Sequence, residues 1–166
     1  MKKIVLFVAA ILCLVLLVSC SSDSKDGKIT VTDYSVQTAL ENCLDSSVFP
    51  ESPIVYRNGS EKEFDGDYLD YYFGNSNLLE GVYEYVYITS PTTNVCEAGV
   101  FKITTSSAKD ALLKAFETRR DALVQTHTNY SATDLEISKN MTIGSFDDVV
   151  YFIATTDNAT IEALIK

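Results

Sequence analysis

Tryptophan is absent from this chain of 166 residues, histidine occurs once and proline three times. With His127 as the sole histidine and no pair of cysteine or histidine ligands at the usual spacing, the sequence offers no zinc site. Basic residues are scarce as well: 13 Lys and Arg stand against 23 Asp and Glu, a formal charge of −10. Such a chain repels phosphate backbones, so nucleic acid is not an expected partner. The motifs of phosphate and acyl chemistry are missing too, with no G-x-S-x-G elbow, no P-loop and no G-x-G-x-x-G turn. No catalytic residue, no cofactor-binding residue and no metal ligand is assigned, and no cofactor is expected.

Long apolar runs are lacking everywhere except at the start. Met1-Lys2-Lys3 leads into an apolar stretch from Ile4 to Val18 that ends at Ser19-Cys20. A basic start, an apolar core and a small residue before the cut are the parts of an export signal. The core is shorter than the about 20 apolar residues a spanning helix needs. Leu17-Val18-Ser19-Cys20 looks like a bacterial lipobox, in which the cysteine is acylated with diacylglycerol and the signal is cleaved in front of it. The expectation is a signal peptide over 1–19, a lipidated Cys20 with a flexible tether over 20–30, and a single domain over 31–166. Cleavage would remove Lys2 and Lys3, leaving 11 basic residues against 23 acidic ones and a charge of −12. The membrane is then reached through the lipid on Cys20, since an acidic surface is repelled by anionic head groups.

Of the four cysteines, Cys13 leaves with the signal and Cys20 takes the lipid, so Cys43 and Cys96 remain for the domain. Outside the cytoplasm they can pair as a disulfide, or stay as buried thiols acting as small apolar residues.

The rest of the chain alternates helical and strand patterns. Val36, Ala39, Leu40, Cys43 and Leu44 recur at three and four, which predicts a helix from Asp33 to Leu44 capped by Asp33 or Ser35. The prolines at 50 and 53 force an extended path, and Asn58-Gly59 marks a turn. Asp65-Gly66-Asp67 suggests a calcium loop, but Leu69 and Asp70 stand where an oxygen ligand and a glycine are required, so the acidic stretch reads as a solvated loop before a helical turn through Leu69, Tyr72 and Phe73. Val82–Thr89 alternates strictly and reads as a strand, paired in a hairpin with 95–103. Ser106–Tyr130 is the longest helix, with Leu112, Phe116 and Leu123 on its apolar seam. Arg119 falls inside that apolar arc, where its stem packs and its guanidinium seeks a carboxylate, while His127 sits where a histidine commonly satisfies the last carbonyls. One helical turn at 134–138, strands at 141–143 and 149–155, and a helix capped by Asp157 complete the order. The fold expected is α+β: helix, hairpin, helix, hairpin, helix, with a four-stranded, mainly antiparallel sheet and helices packed on one face.

Glu97-Ala98-Gly99-Val100-Phe101-Lys102, the long helix carrying Arg120 and Gln125 up to Tyr130, and the apolar strand Val149–Ala154 before a final helix together resemble the small lipoproteins of Gram-positive bacteria grouped as domain of unknown function 4358. The likeness covers Cys20 and most of the chain from Asp33 on, with Ser131-Ala132 standing where such sequences tend to have a proline. It implies a compact α+β domain on the outer face of the cytoplasmic membrane. The family has no assigned activity, so the resemblance carries over no catalytic residue.

Tyrosine is the one enriched chemistry: ten in all, with Tyr68, Tyr71, Tyr72, Tyr83, Tyr85 and Tyr87 within twenty residues. Alternation places Tyr83, Tyr85 and Tyr87 on one strand face, a candidate partner surface for protein or sugar rings, against the plainer reading of aromatic core packing. The functional expectation is a non-enzymatic binding or scaffold module at the cell surface with a protein or cell-wall partner. The alternatives are an enzyme or enzyme inhibitor acting on wall polymers or peptides, distinguished by a pocket with convergent ionisable groups, and an accessory subunit of a membrane transporter.

Overall fold

The computed structural model describes residues 27–92 and 94–166. The signal segment, Cys20 and the first part of the tether lie outside the described residues. The described chain forms ten elements: α1 (Val36–Asp45), β1 (Ile54–Arg57), α2 (Gly66–Phe73), β2 (Val82–Thr89), β3 (Glu97–Ile103), α3 (Ser106–His127), α4 (Ala132–Lys139), β4 (Thr142–Phe146), β5 (Val149–Ala154) and α5 (Asn158–Ile165).

The strands make one antiparallel sheet in the order β1-β2-β3-β5-β4. It has five strands rather than the four expected, because the short piece after the prolines, Ile54–Arg57, pairs with β2 along the edge. The α+β class holds, but the helices do not share one face. Every residue of β3 and of β5 is buried, and a strand with no exposed position must be covered on both sides. On one face Tyr85, Tyr87, Phe101, Val150 and Phe152 pack with Leu69 and Phe73 of α2 and Leu112 and Phe116 of α3. On the other, Val86, Val100, Tyr151 and Ile153 pack with Val36, Leu40 and Cys43 of α1 and Ile161 and Ile165 of α5. Helices at the two ends of the sequence thus close the second face.

Side-chain caps start all five helices. Ser35 accepts from the Thr38 amide, Asp65 from Tyr68, Thr105 from Ala108, Ser131 from Asp134 and Asp157 from Thr160, each satisfying one of the donors a helix start leaves free. Gly74, at φ 67, ends α2 in the left-handed conformation that glycine adopts without strain.

Strict alternation in β2 fails at one point. Val82 pairs with Ile103 and Glu84 with Lys102, so Tyr83 is an extra residue with no partner opposite, a β-bulge. The bulge reverses the facing on either side of it. Val82 packs against the α2/α3 core while Val86 and Ile88 face α1 and α5. Tyr83 is carried away from Tyr85 and Tyr87 and lies over the ammonium of Lys102 at 5.8 Å.

The end of the expected tether is tied to the body. Gly27 accepts from the Ser106 amide at 3.0 Å and Ile29 donates to the Thr104 carbonyl at 2.8 Å. Further on, Asp148 in the β4–β5 turn accepts from the Thr32 amide at 2.9 Å and its hydroxyl at 2.6 Å. Lys102, buried on β3, donates to the carbonyls of Thr32 and Tyr34 at 2.7 and 2.8 Å. This latch leads the chain into α1. Cys43 and Cys96 are free thiols, the first buried and the second half-buried, so the disulfide alternative gives way to that of packed thiols.

Candidate functional site

At one end of the sheet, α2 and the C-terminal half of α3 stand apart, and the turn between β2 and β3 closes the gap. The result is a cleft of about 640 Å³ lined by residues of β1, α2, α3, the β2–β3 turn and Tyr130 beyond α3. One wall is tyrosine. Tyr68, Tyr71 and Tyr72 recur at three and four on α2, so one helix face presents all of them. Tyr68 and Tyr72 stack at 5.1 Å between centroids, Tyr71 meets Tyr72 edge-on at 5.2 Å, and the Tyr56 hydroxyl donates to the Tyr68 hydroxyl oxygen at 2.8 Å. Tyr130, beyond the end of α3, forms another lip, its ring centre 6.3 Å from that of His127. Tyr71 is 82 % exposed and Tyr130 74 %.

The floor is an ion pair. Arg119 donates through Nε to Oε1 of Glu97 at 2.9 Å and through Nη2 to Oε2 at 2.8 Å, and the Tyr87 hydroxyl donates to Oε2 at 2.7 Å. The guanidinium carbon lies 4.7 Å from the centre of the Tyr72 ring, within cation–π range. Burial opposes the charge on Arg119, but the Glu97 carboxylate outweighs it and raises the pKa further above the ordinary guanidinium value. Burial, with Glu97 adding to it, likewise pushes the Tyr87 hydroxyl well above the usual phenol range. Tyr56 and Tyr72 are raised by burial and by Tyr68. These rings stay phenols at neutral pH, able to donate hydrogen bonds and unsuited to act as bases.

His127 lines the cleft from the last turn of α3. Its side chain is 7 % exposed, and its Nδ1 is fully buried with no hydrogen-bond partner, 3.9 Å from Oδ2 of Asp134. The other oxygen of Asp134 accepts from the Val95 amide at 3.2 Å. The histidine does not satisfy the carbonyls at the helix end as expected. Those bonds come from the Thr128 hydroxyl to Val124 at 2.6 Å and from the Tyr130 amide to His127 at 3.1 Å.

The residues singled out as a partner surface are not brought together. Tyr85 and Tyr87 are 3 % and 0 % exposed and belong to the core, with Tyr85 stacked on Phe64 and Phe101; Tyr83 alone is open, at 61 %. The helices α2 and α3 that cover this face of the sheet are the physical reason. What the sequence held unread was the helical spacing of Tyr68, Tyr71 and Tyr72, which shows as a periodic face once the segment is taken as two full turns. Among the described residues no cluster of three metal-ligating side chains occurs, and no helix is long and apolar enough to cross a membrane.

Fold and cleft together define an α+β domain with a five-stranded antiparallel sheet covered on both faces and an aromatic cleft at one end. The chain belongs to the family described as Domain of unknown function (DUF4358), whose model matches residues 55–155 and so takes in both walls of the cleft. No curated protein and no solved structure matches it significantly.

Proposed function

We propose that this chain is a lipid-anchored extracytoplasmic binding module, held at the outer face of the cytoplasmic membrane through Cys20 and engaging a cell-surface partner through the tyrosine cleft. The observation that carries the binding role is the pairing of two open aromatic lips, Tyr71 and Tyr130, with a floor whose charges are already spent on each other. Aromatic rings with one end wet are the side chains that anchor interfaces and ligands. Leu17-Val18-Ser19-Cys20 supports the anchor: two acyl chains hold a protein to a bilayer at about 0.8 kcal/mol per buried methylene.

A photoreactive benzoylphenylalanine at position 71, introduced in intact cells, gives envelope-derived adducts that the same residue at position 83 does not. Equal adducts at both positions would remove the cleft from the account. A Cys20→Ser chain is expected to lose its lipid mass and to leave the membrane fraction.

An enzyme acting on wall polymers or peptides is the second reading, favoured by the approach of Asp134 to His127 at the cleft. It requires the 3.9 Å gap to close to hydrogen-bonding distance.

A further inference from the structure

The groups that could recognise a charged ligand in this cleft are occupied. Arg119 gives two of its donors to Glu97 and its face to Tyr72, so it offers little to an anion, and a chain of charge −10 repels one at long range. For a cationic ligand the obvious acceptor would be a carboxylate. Both oxygens of Glu97 take hydrogen bonds from Arg119 and one takes a third from Tyr87, while Asp134 is nine-tenths buried and bound to the Val95 amide.

What remains open is of two kinds. The lips are aromatic faces. The buried side chain at the cleft with unspent capacity is His127, whose imidazole makes no hydrogen bond among the described residues. Buried polar groups are rarely left so. Its Nδ1 turns inward towards Asp134, so the edge of the ring that helps line the cleft is the one carrying Nε2. That single nitrogen offers one hydrogen-bonding position, which an alcohol, being both donor and acceptor, can answer. Ser90, Thr92, Asn94 and Thr126 add hydroxyl and amide groups around it.

On the reading of this cleft as a binding site, we infer that its ligand is a neutral, hydroxyl-rich chain of sugar rings, stacked by its C–H faces on Tyr71 and Tyr130 and hydrogen-bonded by His127. Sugar rings present apolar faces and polar edges together, which is the division the cleft makes between its lips and its floor. A cavity of about 640 Å³ open at the top is within the range of ligand sites and accepts a few rings with the chain running out at each end. Tyr71 and Tyr130 are exposed, so removing either ring leaves the core intact and reads on binding alone.

The test is isothermal titration calorimetry of the full chain in detergent micelles with chitohexaose and maltohexaose as neutral oligosaccharides and pentalysine as a charged peptide. At least one oligosaccharide gives a saturable heat, pentalysine gives none, and Tyr71→Ala and Tyr130→Ala each weaken the binding about tenfold or more, as loss of an anchoring ring does; Tyr83→Ala changes nothing. His127→Gln, which keeps a hydrogen-bonding group at this position, binds better than His127→Ala. If pentalysine binds in a Tyr71-dependent way and neither sugar does, the sugar assignment is overturned and the binding cleft stands. If a ligand binds but neither tyrosine matters, or if nothing binds, both the assignment and the cleft fall.

Discussion

Arg119 and Glu97 meet side-on under the cleft, two parallel hydrogen bonds of 2.9 and 2.8 Å joining the middle of α3 to the first residue of β3. Glu97 is the more deeply buried partner, its side chain 3 % exposed against 14 % for Arg119. The pair fixes how far α3 stands from the sheet at the place where the cleft opens, and it removes from the floor the two charges that would otherwise recognise an ionic ligand.

Cutting one side of that pair is expected to be severe. Arg119→Ala leaves the buried Glu97 charge with only the Tyr87 hydroxyl beside it and lowers stability by about 3–5 kcal/mol in urea unfolding, whereas replacing both with apolar residues, Arg119→Met with Glu97→Leu, recovers part of the loss. A single variant no worse than the double one would show that the pair is not the strut described.

The bulge at Tyr83 separates two tyrosines that look equivalent in the sequence. Tyr85→Ser removes a stacked ring and the hydroxyl that accepts from the Phe64 amide at 2.8 Å, a loss of about 3–5 kcal/mol. Tyr83→Ser gives up exposed surface and a contact with Lys102, about 0.5 kcal/mol. Thermal melts of the two variants side by side decide the point, and similar melting temperatures would contradict the assigned facing.

Gly99 lies under the rings of Phe101 and Phe152. A Cβ there would come within 2.7 Å of the first and 2.5 Å of the second. Gly99→Ala is expected to lose about 1–3 kcal/mol through overpacking, and Gly99→Ala with Phe152→Leu to regain part of it. Stability equal to the parent chain would mean that the central strands have slack this packing does not allow.

Acid should loosen the latch at the start of the domain. Burial pushes the Asp148 carboxyl up, but the hydrogen bonds from Thr32, with the charge of Lys102, more than offset this and hold it below the ordinary carboxylate range. A depressed carboxylate contributes stability that is present above its unfolded pKa and lost as the pH falls through the folded value. The parent chain therefore loses this contribution below about pH 4, and Asp148→Asn, weaker at neutral pH, shows a shallower fall over the same range in unfolding titrations.

The thiols report on the second core. Burial pushes Cys43 and Cys96 up to about 11, with Glu97 adding to the effect at Cys96. Both stay protonated at neutral pH, and a thiol reacts through its thiolate. Alkylation by iodoacetamide at pH 8 is expected to be slow in the folded chain, fast in urea, and slowest at Cys43. The stability these neutral thiols contribute is present below the ordinary thiol value and lost as the pH rises towards about 11.

Much of the fold was legible in local pattern. The helical spacing of Val36, Leu40 and Cys43, the hairpin of β2 and β3, the seam of α3 and the cap at Asp157 all stand where periodicity and capping chemistry put them. The sidedness of the sheet was legible as well, in the unbroken apolar run Val149–Ala154, which has no position to spare for water. It was lost because alternation in β2 suggested one covered face. The bulge was not legible, since one extra residue leaves the local alternation intact and shows only in the register against β3. Arg119 could be seen to need a carboxylate, but its partner lies 22 residues away on another element, and no local signal names it. The cleft arises in the same way, from two helices whose separation is set by packing that spacing cannot convey.

The cleft between α2 and the end of α3 is the proposed meeting place of this protein and its partner. Hydrogen–deuterium exchange of the full chain in detergent micelles, with and without purified cell-wall sacculi, tests it most directly. The expected result is added protection confined to residues 66–73 of α2, to the turn at 90–96 and to the segment 127–131 at the end of α3. Unchanged exchange in all three segments, or protection along the β4 edge instead, would contradict it.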